Sequence, residues 1–233
     1  MNDRGPKVKT HSYDVQLRRE RSAETKQRIV EAARELILEF GYRSTTMAGI
    51  ARRARVNVDT VYELVGRKPV LLRELIEQAI SGVDHAVIAE ERGHIIAMRQ
   101  SKDPVEKLTI YAHAMKETHS RLAPLFLALR DASSTDAEAR DVWREINDRR
   151  AANMRKFIRD LHHVGGLRSD LSIGLAADIV WVLNSSELYS LYTKERGWSS
   201  KRYERWLADA MCRLLIPWSG LNTRIEGNNF PAI

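Results

Sequence analysis

Residues 57–63, Asn-Val-Asp-Thr-Val-Tyr-Glu, bring together side chains able to read the edges of nucleic-acid bases. An Asn amide pairs bidentately with adenine, an apolar group touches the thymine methyl, and a carboxylate accepts from cytosine N4. On that chemistry the base-contacting candidates are Asn57, Val58, Asp59, Thr60 and Glu63. Arg43, Arg52, Arg53, Arg55, Arg67 and Lys68 surround them. Such a cationic cluster neutralises phosphates and releases their counterions. A solvated basic face without a partner has the same composition. Asp59 in the first turn of a helix also simply compensates the helix dipole, and with Glu63 it forms a mildly unfavourable like-charge i,i+4 pair.

The elements that must position these groups follow from apolar spacing. Ile29, Ala32, Ala33, Leu36, Ile37 and Phe40 form one stripe of a 3.6-period helix, with Ser22 as expected N-cap and Gly41 as expected C-terminal residue. Thr45 is expected to cap a second, short helix that buries Met47, Ile50 and Ala51. Arg55 and Val56 make a turn, and Asn57 caps a third helix from Val58 to Leu64. Two short helices braced by a longer one match a helix-turn-helix, whose second member enters the major groove. Three core helices of any all-α protein share that spacing, so spacing alone does not decide.

The ordered set of residues does more. Ala32–Ala33, Gly41–Tyr42, Thr45–Thr46, Ile50–Ala51, Val56–Asn57, Thr60–Val61–Tyr62 and Lys68 stand in order and in register. In this the segment resembles the DNA-binding domain of the tetracycline-repressor (TetR) family of transcriptional regulators. The resemblance implies phosphate contacts for Arg43, Thr45, Thr46, Tyr62 and Lys68, which leaves base readout to Asn57, Val58, Asp59, Thr60 and Glu63. Three positions depart from the family pattern. Arg55 stands where a turn glycine is usual and carries strain if φ is positive there. Val65 replaces a Phe, and Pro69 follows Lys68 in the first turn of a fourth helix, where its missing N–H has no partner to lose.

Charge agrees. The chain has 38 Lys and Arg against 31 Asp and Glu, net +7, and residues 1–80 hold 16 basic and 11 acidic groups, so most of the excess lies near the proposed head. Residues 1–21 are basic and lack an apolar period. They read as a flexible arm, either a leader or a minor-groove contact. No apolar run of signal-peptide type follows them.

Beyond a head at residues 22–82, the expectation is a larger all-α unit at 83–216 and a loose tail at 217–233. A fourth helix runs from Pro69 to Val83. Asp103 caps a helix at Pro104, a Thr135 capping box opens one ending near His162–His163, and Ser172 starts a long helix reaching Leu191. A last helix follows Ser199 and carries Tyr203, Trp206, Leu207, Met211 and Leu215. The segments Ala176–Ile179, Glu187–Tyr189, Glu195–Ser199, Arg202–Glu204 and Trp206–Asp209 resemble one subgroup of the same family. The resemblance implies a homodimer through the last two long helices, a double-stranded DNA operator of pseudo-palindromic form, and a small-molecule effector. The expected pocket residues are Tyr111, Met115, Phe126, Trp143, Asn147, Trp181 and Asn184, although an aromatic at helical spacing is as readily plain core.

Other chemistry finds no support. Nucleophile-elbow, phosphate-loop and His-Glu-x-x-His patterns are absent. No catalytic residue, cofactor or metal site is expected. Cys212 is the single cysteine, and no apolar run reaches membrane-spanning length, which points to a cytoplasmic protein without a membrane partner. The rival reading is a helical interaction module that binds nucleic acid or acidic partners without sequence choice.

Overall fold

The structure, a computed structural model, describes residues 8–83 and 85–217, with side chains from residue 16. All regular elements among them are helical. The chain divides into two compact units, residues 1–75 and 76–233.

In the first unit α1 (Val8–Ser44), α2 (Met47–Ala54), α3 (Val58–Val65) and the start of α4 (Lys68–Ser81) enclose a small core of Ile29, Val30, Ala33, Ile37, Ile50, Val61, Leu71 and Leu72. The predicted stripe of α1 holds at Ile29, Ala32, Ala33 and Ile37, but Phe40 is exposed and Val30 is buried instead. Ser22 does not cap: α1 already starts at Val8, so residues 8–21 are helical rather than a structureless arm. Once a helix is nucleated on a packed segment, extension costs little, and from Val8 to Arg21 no Gly or Pro stops it. Gly41 breaks the regular helix with φ 80.

The cap of α2 is Thr46, not Thr45: its Oγ accepts from Gly49 N at 3.0 Å. Arg55 ends α2 in the left-handed conformation, φ 55 and ψ 50, and Val56 N–H bonds the Ala51 carbonyl at 3.0 Å. That is a Schellman closure, with an arginine where a glycine would be unstrained.

The second unit contains the rest of α4, a 3₁₀ turn (Ala89–Glu91), α5 (Gly93–Gln100), α6 (Pro104–Ser133), α7 (Ala137–His163), α8 (Ile173–Leu183), α9 (Ser186–Ser190), a π turn (Leu191–Glu195) and α10 (Ser200–Leu215). The caps Asp103, Ser172 and Ser199 form as expected, whereas α7 is capped by Asp136 rather than Thr135. The long helix expected to reach Leu191 stops at Leu183, because Asn184 leaves helical geometry and Ser185 caps a new turn. The core runs along α6, α7, α8 and α10 through Leu108, Tyr111, Ile158, Val180, Tyr203, Leu207 and Leu215. Lys107 is fully buried and joins α5 to α7, its Nζ donating to the Met98 carbonyl at 2.5 Å and to Asp160 Oδ2 at 2.6 Å. Cys212 is buried in the same core, and burial, helped by Asp209 and Asp103, pushes its thiol up to about 12. No helix of the described residues is long and apolar enough to cross a membrane. Apart from Pro217, the C-terminal tail lies outside the described residues.

Candidate nucleic-acid interface and ligand cluster

The first unit presents α3 by capping the starts of both α2 and α3. Asn57 Oδ1 accepts from Asp59 N at 3.1 Å, which fixes the start of α3. Val61 and Val65 are buried, so the opposite side of α3 faces outward: Asp59, Tyr62 and Glu63 are exposed and Thr60 is half-buried. Asn57 is exposed and Val58 half-buried, so all five base-reading candidates reach the surface of one short element. The Asn57 amide oxygen holds the cap, which leaves its NH₂ as the group free to donate to a base.

The phosphate candidates divide. Arg43, Thr46 and Tyr62 are exposed. The Thr46 oxygen accepts the α2 cap, which leaves its hydroxyl proton to donate to an anion. Thr45 is 2% exposed, and its hydroxyl donates to the Gly41 carbonyl at 2.9 Å. Its expected phosphate contact does not fit that burial, whereas Thr46 is exposed. The Lys68 ammonium donates to the Tyr42 and Thr45 carbonyls, both at 2.9 Å, and lies 4.0 Å from the Tyr42 ring centroid. It ties the start of α4 to the junction of α1 and α2. Arg53 is held by Glu35 at 2.7 Å and by Glu39 at 3.6 Å.

In the second unit, polar side chains distant in sequence meet. The Ser186 hydroxyl points at His119 Nδ1 at 3.4 Å, His119 Nε2 donates to Asn184 Oδ1 at 2.6 Å, Asn184 Nδ2 donates to the Tyr111 hydroxyl at 2.5 Å, and that hydroxyl donates to Met154 Sδ at 3.2 Å. The Asn184 oxygen is an acceptor only, so His119 carries a proton on Nε2, and a neutral ring leaves Nδ1 to accept from the Ser186 hydroxyl. Burial agrees, drawing the His119 pKa down to about 4 against the opposing hydrogen bond to Asn184. Burial also raises the Tyr111 hydroxyl.

Of the expected pocket residues, Tyr111 and Asn184 are joined in this chain. Met115 and Phe126 are buried in α6, and the Asn147 amide donates to the Trp143 carbonyl at 2.8 Å on α7. Trp181 packs under Arg150, whose guanidinium carbon lies 4.6 Å from the ring centroid. Sequence reasoning missed Arg150, His119, Ser186 and Met154. A signal for two of them was present: Trp143, Asn147, Arg150 and Met154 follow the i, i+4, i+7, i+11 pattern of one helix face.

A capped helix-turn-helix with an exposed second helix and a basic surround defines a class, the DNA-binding head of a transcriptional regulator. Residues 29–75 match the model of the bacterial regulatory proteins of the tetR family. The fold extends further. The structure of the fatty acid degradation regulator FadR from Bacillus halodurans is similar over 81% of this chain and 94% of its own, with 19% identity and TM-score 0.66. NalD, the secondary repressor of the MexAB-OprM multidrug efflux pump in Pseudomonas aeruginosa, aligns with 84% of this chain and 99% of its own, at 20% identity and TM-score 0.65. A transcriptional regulator from Saccharomonospora viridis in complex with choline gives 84% and 99% coverage, 21% identity and TM-score 0.65. No curated protein sequence matches the chain.

Proposed function

We propose that the chain is a ligand-responsive repressor, acting as a dimer on a pseudo-palindromic operator and released by a small-molecule effector. The observation that carries the reading is the outward face of α3, where Asn57, Asp59, Thr60 and Glu63 stand beside the exposed Tyr62 and Thr46. Asn57, Val58, Asp59, Thr60 and Glu63 read bases, while Thr46, Tyr62 and Arg43 meet phosphates and set the register. Lys68 acts one step back, by holding the start of α4. Residues 83–216 form the ligand-binding and dimerisation domain in this reading. Dimerisation is supported by the exposed Leu175 and Val182 on α8 and Leu214 on α10, apolar groups that a second copy would cover. Two heads so paired read half-sites about 34–36 Å apart. Small-molecule control is supported by the choline complex of the Saccharomonospora viridis protein, which shares the fold. Such a regulator works in the cytoplasm and without catalysis.

The test is fluorescence anisotropy on the duplex upstream of the chain's own coding region and on intergenic duplexes, against scrambled controls, at two salt concentrations. A preference of roughly 10³ or more for one native duplex is expected. Equal, salt-dependent binding to every duplex would leave the non-specific interaction module as the better reading. Thr60→Ala should change which bases are preferred, whereas Tyr62→Ala should weaken all sequences alike.

A further inference from the structure

The hydrogen-bond chain from Ser186 to Met154 is satisfied within itself, but the adjoining end of α7 is not. Arg150 is largely enclosed, and one of its terminal nitrogens donates to the Trp181 and Asn184 carbonyls at the C-terminal end of α8. Among the described residues no carboxylate forms an ion pair with Arg150. Glu187, the acidic group that acts on it through space, pairs instead with Arg130 at 3.1 Å. A guanidinium has five N–H donors in a fixed fork, and here only one nitrogen is engaged. Two further donors are unsatisfied nearby: the indole N–H groups of Trp143 and Trp181 are sealed from water and have no acceptor. Trp181 lies directly under Arg150, and Trp143 precedes it by seven residues on the same face of α7, about 10 Å along the axis. Every unsatisfied side-chain group in this cluster is a donor, and the cluster's one charge is positive. Both indoles are half-buried, so their rings remain within reach of a ligand.

We propose that the effector is an organic anion, an aryl or medium-chain alkyl carboxylate, whose carboxylate is taken by the Arg150 fork against the Trp181 ring while its apolar part lies along α7 toward Trp143. The proposal deepens the ligand-responsive reading and rests on it for the word effector. The binding site stands independently. A carboxylate supplies the acceptors that the fork and the neighbouring Trp181 indole lack, in the bidentate geometry that suits arginine. A cationic ligand would meet the Arg150 charge, and a ligand with donors alone would leave the indoles unpaired.

The test uses the full chain at neutral pH, titrated with benzoate, phenylacetate and decanoate against benzamide, decanol and benzyltrimethylammonium, followed by tryptophan fluorescence and calorimetry. At least one carboxylate should bind saturably, and its neutral and cationic counterparts at least about tenfold more weakly. Arg150→Gln should weaken that carboxylate by about 10²-fold. Because Arg150 also holds the end of α8, Trp181→Phe serves as second variant: it keeps an aromatic face under the guanidinium and the backbone carbonyl that Arg150 binds, deletes the donor beside the carboxylate and should cost about fivefold in affinity with unchanged helix content. Binding of no carboxylate, equal binding of the neutral or cationic probes, or full affinity in Arg150→Gln would overturn the proposal. Anisotropy on the operator duplex separates the two readings. Release of DNA by a neutral or cationic probe alone overturns the anion site and spares the regulator. Arg150-dependent carboxylate binding by a chain that ignores DNA does the reverse.

Discussion

The two units keep their polar side chains in opposite ways. In the first, the hydrogen bonds that start its helices and close their junction are local: Thr46 reaches Gly49, Asn57 reaches Asp59 and Thr45 reaches Gly41, each within a few residues, and Lys68 is the longer tie, 26 residues from Tyr42. In the second, the decisive bonds join groups 73, 65 and 53 residues apart, Tyr111 with Asn184, His119 with Asn184, and Lys107 with Asp160. A reading head is a fixed shape with a variable surface, and caps suffice to build it. A ligand site needs groups brought together from several helices, so its order depends on the whole unit. One part is set by turns, the other by packing.

That contrast can be broken most forcefully from the core. Ile158 is fully buried in α7, and Ile158→Ala should destabilise the second unit by about 3–4 kcal/mol. All five tryptophans lie beyond residue 75, so urea titration followed by tryptophan fluorescence reports that unit alone. Acid comes next. His119 has its pKa drawn down by burial to about 4, below the ordinary 6.5, so the unfolded chain binds more protons in between. Stability present above the ordinary pKa is therefore lost as pH falls from about 6.5 toward 4, amounting to about 2 kcal/mol by pH 5. His94, lowered to about 4 by burial and then by Arg92, acts in the same direction. The only histidine of the first unit is His11, so the stability of that unit should change far less than the fluorescence transition in this window. A midpoint in urea that does not move between pH 7 and pH 5 would contradict the neutral His119.

Smaller changes sharpen the comparison from the other side. Thr46→Ala removes the α2 cap and should cost about 1 kcal/mol, visible as a lower thermal midpoint by circular dichroism and weaker DNA binding, with the tryptophan transition unmoved. Arg55→Gly should act in the opposite direction, by about 0.5–1 kcal/mol, because glycine adopts φ 55 without steric conflict. If Arg55→Gly lowers the midpoint, the side chain makes a contribution larger than the strain it carries.

The same contrast explains what was legible in the sequence. The helix-turn-helix was readable because its signals are contiguous: the Asn57 cap, the Arg55 turn, and the Ile50 and Val61 core positions all act within a few residues. Even there, adjacent threonines exchanged roles. Thr45 and Thr46 are chemically alike, and only packing decides which is buried. The start of α1 was misplaced because Ser22 is a good cap but nothing before it compels the helix to end. In the second unit the caps at Asp103, Ser172 and Ser199 were readable, whereas the break at Asn184 was not. That asparagine leaves α8 where its amide joins His119 to Tyr111, two residues of α6 that no local pattern connects to it. Arg150 escaped for the same reason: a charge on a helix face looks solvated until the opposing helix is known.

The chain's one cysteine has a consequence of a different kind. Cys212 sits in the core of the second unit with a thiol pushed up to about 12, so in the folded state it is both shielded and almost wholly protonated. A thiolate-seeking reagent reacts with it only when α10 opens. The rate of labelling is thus an intrinsic clock for that opening, with no engineered dye and no second thiol to confuse it. Any small molecule that settles the unit around itself should slow the clock, whether or not DNA is present.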